Sequence, residues 1–411
     1  MSHAIDFQVD QAAFAAALAA VSRAVATKTN LPILQAIKVE ALGDEGGQRL
    51  VLSATNLEIG ARATIDGAVA APGAVAIPER ILADWVAALP PGAVRLELPP
   101  QGSRIRATCG RARASFAFHD AADFPAFAPP DESTAIPLDA KRLRRALQRV
   151  LPAVGQESEN EALRCVCLTP GPGGLRVAAL DGHRLARSVL TETTADGTMP
   201  LLVPYPAARE FARLLGEGDA AKLALSPSGR AATLSVGGAS VTARLVEGAF
   251  PQVDRLIPRG HATRVAVEVA ELTRALKLAG LFGAGGTKYA ILDAAPGRLK
   301  VSAPDAGAGE GESEIEAAFE GEPCVIGTNA PFLLELLATA SAPVVTLAWQ
   351  GATGGIVLRE AHDAAAHEGD IWLVMPVHLA AMPVTPAAGA RDGAASGAAG
   401  VAPVADVAEA A

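Results

Sequence analysis

Few residues of this chain could do covalent or metal chemistry, and their spacing is wrong for most of it. Seven histidines are scattered along 411 residues, and none shares a ligand spacing with a cysteine or an aspartate. The four cysteines, Cys109, Cys165, Cys167 and Cys324, form no zinc pattern. Cys165 and Cys167 alternate within an apolar run, so both belong on one strand face as small buried hydrophobes. GAGGTK from Gly283 departs from the spacing of a phosphate-cradling loop, and GPGG from Gly171 reads as a hairpin turn. No zinc-protease, nucleophile-elbow or kinase signature occurs. His183, within Asp181-Gly182-His183-Arg184-Leu185, has the one suggestive neighbourhood. A general base needs a partner and a substrate pocket, and neither is visible, so a structural or binding role is expected. The expectation is a protein with no catalytic residue, metal or cofactor.

Cations give the stronger signal. In the helical pattern from Leu138, Leu143, Leu147 and Val150 mark a buried stripe. Arg142, Arg145 and Arg149 share another face, joined by Lys141 and Arg144. Helices elsewhere contribute cations more sparsely: Arg23 and Lys28 near the N-terminus, Arg80, then Arg274, Lys277 and Lys288. A surface made from these residues would attract phosphates without reading base sequence. The whole chain is nevertheless acidic, with 35 Lys and Arg against 44 Asp and Glu and a net charge of −9. That balance excludes a simple basic DNA-binding module. Aromatic residues at 4% argue against a stacking platform for single strands, and 50% hydrophobic residues exclude general disorder.

The elements that must position these cations repeat. Phe124-Pro125 recurs as Phe250-Pro251 after 126 residues, and Met375-Pro376 follows after another 125. PERILADWVAAL from Pro78 recurs as PYPAAREFARLL from Pro204, with TNAPFLLELLATA from Thr328 in the third place. VDQAAFAAALAAVSRAV from Val9, LDAKRLRRALQRVL from Leu138 and VAELTRALKLAGL from Val269 form another such set. Asp10 and Asp139 sit where an N-cap acceptor belongs. The fold expected is α+β: three repeated domains, each with two helices packed on antiparallel sheets. Their boundaries are placed at 1–130, 131–261 and 262–380, followed by an Ala/Gly/Pro-rich tail over 381–411 expected to be disordered.

One strand edge is basic and another acidic. RIRATCGRARASFAF carries Arg104, Arg106, Arg111 and Arg113 beside Phe116, whereas GAGEGESEIEA carries Glu310, Glu312, Glu314 and Glu316. Such edges suit head-to-tail association that closes into a ring.

At these residues the chain resembles the bacterial sliding clamp family, the beta subunit of DNA polymerase III. The motifs are LPIL at Leu31, ATNLEIGARA at Ala54, IPERILADWVAALP at Ile77 and AADFP at Ala121. DGHRLA at Asp181, EGAFPQVDRLIP at Glu247 and VMP at Val374 complete the set. The resemblance implies a homodimeric ring of six domains that encircles double-stranded DNA without sequence preference. It also implies a groove between the second and third domains, where the polymerase III alpha subunit, the clamp loader and other proteins with a clamp-binding motif insert a peptide. Carried over by motif, the groove residues are Leu163, Gly182, His183, Arg184, Leu185, Pro251, Arg255, Leu256, Phe332, Leu373, Met375 and Pro376. The DNA-facing set is Arg23, Lys28, Arg80, Arg142, Arg145, Arg149, Lys277 and Lys288. The dimer interface is expected to use Arg111, Arg113, Phe116, Leu281, Glu310, Glu312 and Glu314.

The chain departs from the family pattern at several positions. Leu180 precedes Asp181 where clamps commonly carry Thr, and Met375-Pro376-Val377-His378 replaces the usual Met-Pro-Met-Arg ending. Tyr205-Pro206 stand where a basic pair is frequent, and about thirty residues follow the last motif. A diverged clamp copy that binds partners without full replicative function is the alternative expectation. Met1 to Asp10 lacks a signal-peptide pattern, and the longest apolar stretch, from Ala12 to Val21, is half a membrane span. A cytoplasmic protein without membrane contact is expected.

Overall fold

A computed structural model describes residues 4–44, 47–99, 102–126, 130–131, 133, 135–191, 199–216, 220–282, 289–305, 309–361 and 369–378. Lys288 and the tail over 381–411 lie outside the described residues.

In each repeat a strand runs straight into a helix, and a second helix follows later. The first repeat holds α1 (Gln11–Ser22) and α2 (Glu79–Ala87); the second holds α3 (Ala140–Val150) and α4 (Tyr205–Leu214). A one-turn helix, α5 (Val253–Leu256), lies in the connector, before α6 (Val269–Ala279) and α7 (Ala330–Leu337) of the third. Two of the helices begin two residues later than the sequence pattern suggests. Val9 and Leu138 belong to the preceding strands, which run on to Asp10 and Asp139 because these two residues stay extended as N-caps. The Asp10 carboxylate accepts from the Ala12 and Ala13 amides at 3.0 and 3.1 Å, and Asp139 accepts from that of Arg142 at 2.8 Å. Each cap satisfies amides that the helix itself leaves unpaired, worth roughly 1 kcal/mol.

Within each repeat the two helices pack on each other. Their apolar stripes, such as Phe14, Leu18 and Val21 of α1 and Leu272 and Leu276 of α6, are buried against the sheets. Each such side chain contributes about 1.5–3 kcal/mol by leaving water. Cys165 and Cys167 are buried together with Ala162 and Leu202, as their spacing predicts. Burial pushes the Cys165 thiol up to about 11, which leaves it protonated and inert at neutral pH. The GPGG turn is a two-residue hairpin, with Gly171 opposite Gly174. Gly174 has φ +107°, and a Cβ there would lie 2.0 Å from the Leu190 carbonyl oxygen, so no other residue fits.

Sheets, rather than linkers, join the repeats. The Ile59–Asp66 strand of the first repeat pairs antiparallel with Ala239–Arg244 of the second, Ala63 facing Ala239 and Ile59 facing Ala243. This merges five strands with four into one nine-stranded sheet. Arg184–Leu190 of the second repeat pairs in the same manner with Ile371–Val374 of the third, Leu185 facing Leu373, to make another nine-stranded sheet. Two sheets remain. One has five strands and ends on Ala112–Phe116; the other has four and ends on Gly309–Glu316. Among the described residues no strand lies beside either of these two edges.

Candidate functional site

The seam between Arg184–Leu190 and Ile371–Val374 gathers the residues expected to form the groove. Leu163, Leu185 and Leu373 pack in one apolar cluster with Ala178, Leu180, Val253, Val357 and Ile371. The connector folds over this cluster through Phe250, Val253 and Ile257, which carries Pro251, Arg255 and Leu256 to its rim. Leu256 is 48% exposed and Met375 45%, so both offer apolar surface beside the buried cluster. Gly355 lies under the rim; a Cβ there would meet Leu373 at 2.7 Å and the Met375 sulfur at 3.6 Å.

The DGHRL turn is held by its own aspartate. Asp181 Oδ1 accepts from the His183 and Arg184 amides at 2.9 and 2.8 Å, and Gly182 takes φ +89° to complete the turn. The His183 carbonyl then accepts from the Met375 amide at 2.7 Å, which ties the turn to the Val374-Met375-Pro376 segment. Arg184 reaches from the second repeat to the third. Its guanidinium donates to Asp181 Oδ2 at 3.0 Å and Glu335 Oε2 at 2.5 Å, and lies 4.3 Å from the Phe332 ring centroid. The exposed His183 ring stacks on Phe332 at 6.2 Å. All twelve expected groove residues therefore fall around one seam. Val253, Val357, Ile257 and Glu335 belong there too. Val357 lies outside the quoted motifs, Val253 and Ile257 carry no polar mark within theirs, and Glu335 of α7 meets Arg184 from 151 residues away, so spacing alone could not single them out.

Arg149 corrects an expectation. It was placed on the DNA-facing side of α3, but it is 1% exposed. Its guanidinium pairs with Glu360 and, at 3.4 Å, with Asp370, and lies 4.2 Å from the Trp372 ring centroid. Arg145 also approaches Glu360, at 3.5 Å, and the Trp372 indole donates to the Arg149 carbonyl at 3.2 Å. The reason is position: the last turn of α3 runs into the seam, where third-repeat strands bring two carboxylates and a tryptophan against it. Glu360 is 211 residues away, so no local pattern announces the pairing.

The remaining cations stay at the surface. Arg23, Lys28, Arg80, Arg142 and Lys277 are exposed on or beside α1, α2, α3 and α6, and Arg145 is half-buried. α4 adds exposed Arg209 and Arg213, beyond the cations expected from the sequence; Arg209 packs over Tyr205 at 5.6 Å. Among the described residues no group of His, Cys, Asp or Glu could hold a metal ion, and no helix is long and apolar enough to cross a membrane.

Of the residues expected at a subunit interface, Arg111 and Arg113 are exposed on the hairpin that carries the Ala112–Phe116 edge. Glu310, Glu312 and Glu314 are exposed on the Gly309–Glu316 edge, and Leu281 near it is 75% exposed. Phe116 is a second correction. It is 3% exposed and meets Trp85 edge-on at 5.6 Å, because its strand turns it inward onto α2.

Family models cover the chain from end to end of its described part. The DNA polymerase III beta subunit N-terminal domain matches residues 5–128, the central domain 137–252 and the C-terminal domain 254–377. The beta sliding clamp of Caulobacter vibrioides is 30% identical over 342 residues, spanning 82% of this chain and 90% of that protein. A beta sliding clamp homolog, GriR, of Streptomyces muensis is 29% identical, spanning 91% and 99%. The Pseudomonas aeruginosa sliding clamp, in a crystal structure bound to griselimycin, superposes with a TM-score of 0.84 at 25% identity, covering 92% of this chain and all of that one. The three successive domain matches on one three-repeat fold show that the chain belongs to the DNA polymerase III beta subunit family, the non-catalytic sliding clamps.

Proposed function

We propose that two copies of this chain close head to tail around duplex DNA, and that the seam between the second and third repeats holds the partners that work there. The carrying observation is the pair of leftover sheet edges. Strands equivalent to Ile59–Asp66 and Arg184–Leu190 are already paired across repeats, and Gly309–Glu316 is their third counterpart. Strands equivalent to Ala239–Arg244 and Ile371–Val374 are paired too, and Ala112–Phe116 is theirs. Joining the free five-stranded edge to the free four-stranded edge of a second copy repeats the same junction. The two ends carry opposite charge, so the correct partner edge is attracted and a like edge repelled. Two such junctions close a ring of six repeats and leave neither of these two edges unpaired.

In that ring the cationic helices Gln11–Ser22, Ala140–Val150 and Val269–Ala279 become neighbours along one surface. Phosphate contacts by exposed Arg and Lys are weak, salt-sensitive and indifferent to sequence. Retention then comes from topology and the ring stays free to slide. The acidic net charge belongs mainly to the outside.

The groove supplies the tether. Its apolar floor, exposed Met375 and Leu256, and polar rim of His183, Arg184 and Arg255 suit a short peptide with apolar anchors. The polymerase III alpha subunit and the clamp loader are the partners this reading assigns to it. Substituting Leu185→Ala together with Met375→Ala is expected to weaken binding of an apolar-anchored peptide by about 2–4 kcal/mol. Sedimentation should still give the wild-type dimer. Unchanged peptide affinity in a folded variant would remove the groove from the account.

The departures at Leu180, Val377 and His378 favour one second reading, a clamp copy specialised for other partners. Leu180 is buried in the groove cluster itself, so it alters the floor rather than the rim. Loader-dependent stimulation of the replicative polymerase separates the two readings: a specialised adaptor gives none.

A further inference from the structure

Beyond Leu185 and Leu373 the apolar floor gives way to arginines on the same sheet face. In the next row along the strands Arg187 faces Ile371, and Arg359, opposite Thr346, lies one residue past the Leu358–Trp372 pair. Arg176 is two residues from Ala178, the partner of Arg187; Arg264 is two from Ala266, the partner of Thr346. Residues two apart share a face, so four strands bring four guanidiniums to one side. It is the side of Val357 and Ile371, away from Trp372 and α3, and hence away from the DNA-facing helices. At about 4.8 Å between strands, Arg187 and Arg359 stand about 10 Å apart.

Among the described residues two carboxylates answer these four cations. Asp254 bridges Arg187 at 2.6 Å and Arg176 at 3.2 Å, and Glu320 lies 3.4 Å from Arg264. Arg359 is exposed, and among the described residues no carboxylate lies within ion-pair distance of it. The uncompensated charge is felt by its neighbours. Partial desolvation against the sheet, then repulsion from Arg187 and Arg264, pushes the Arg359 pKa down. Burial, then Arg264 and Arg359, lowers that of His261. An assembly of like charges is relieved by an external anion.

We propose that this arginine shelf receives acidic side chains of the peptide whose apolar residues enter the groove, so that the site selects anchors with an acidic flank. The proposal rests on the groove reading. Continuity of the shelf with the Leu185–Leu373 floor and its excess positive charge name the occupant. The test uses two labelled synthetic peptides sharing a Leu-Phe anchor, one flanked by three Asp and the other by three Asn, in fluorescence anisotropy with the full chain. The Asp peptide is expected to bind about tenfold tighter at low salt, with the ratio falling toward one as salt rises. In an Arg264→Gln, Arg359→Gln variant the ratio should collapse while the Asn peptide binds as before. Equal affinities for the wild type, or a ratio the variant leaves intact, would overturn the shelf and spare the groove. Binding of neither peptide would overturn both. An Asp-peptide affinity insensitive to Leu185→Ala with Met375→Ala would make the arginines a separate anion surface and overturn the link. So would displacement of the Asp peptide by a short duplex DNA.

Discussion

Replacing Arg149 by alanine is expected to cost about 3–5 kcal/mol of stability, read as a large downward shift of the unfolding midpoint in denaturant. Arg149 and Glu360 are 1% exposed and Asp370 6%. Removing the cation strands two carboxylates beside Trp372, and little water can reach them. Asp370 keeps bonds from the Ser188 hydroxyl at 2.7 Å and the Val189 amide at 3.2 Å, and Glu360 keeps Arg145 at 3.5 Å. The neutral bonds orient Asp370 without compensating its charge, and Arg145, at 3.5 Å and half-buried, compensates Glu360 only in part. Neutralising all three at once, as Arg149→Met, Glu360→Gln and Asp370→Asn, should recover most of the loss, because the penalty is an uncompensated charge rather than a lost attraction. A single-variant loss below about 1 kcal/mol would mean that the junction is wetter than its burial indicates. Because this knot fastens α3 to the third repeat, the single variant should also loosen the seam on which the proposed groove stands.

Reversing the basic edge should have a comparable effect on assembly. Arg111→Glu with Arg113→Glu sets glutamates against Glu310, Glu312 and Glu314 of a second copy at both junctions of the ring. Like charges placed across an interface cost several kcal/mol, so the dimer constant should weaken on the order of a thousandfold. Part of the acidic edge is already tied inside the chain: Arg298 lies 2.9 Å from Glu314, and Lys300 3.3 Å from Glu312. Glu310→Lys and Glu312→Lys added to the reversed chain should therefore restore association, since the ring needs opposite edges rather than particular residues. Sedimentation of the reversed chain as a stable dimer at low protein concentration would contradict the edge-to-edge junction.

Much of this architecture is legible in the sequence because it is repeated. A period of about 125 residues, seen in Phe-Pro and helix landmarks, implies three units of one kind. Asp10 and Asp139 mark their helix starts, because a cap is a local event between neighbouring residues. The residues proposed for the groove are legible as motifs, and the fold draws them to one seam. What escaped notice was long-range. Arg149 has the helical spacing of Arg142, yet it is buried, because carboxylates over 200 residues away cover it. Phe116 has the alternation of an edge strand, and its burial on Trp85 depends on how α2 packs. The outward row of Arg176, Arg187, Arg264 and Arg359 is drawn from four strands and two repeats, so only their register reveals it.

The opposing totals of 35 cations and 44 anions also acquire a geometry. Exposed cations line one face of α3, α4 and α6 and the hairpin that carries Ala112–Phe116, and Glu310, Glu312, Glu314 and Glu316 line the Gly309–Glu316 edge. The most direct measurement of the central claim is retention of loaded protein on nicked circular DNA before and after a single cut linearises it. A ring held by topology should stay on the circle through a high-salt wash and leave when the DNA is cut. Equal retention on circle and line, abolished by salt in both, would show binding by charge alone and contradict the encircling ring.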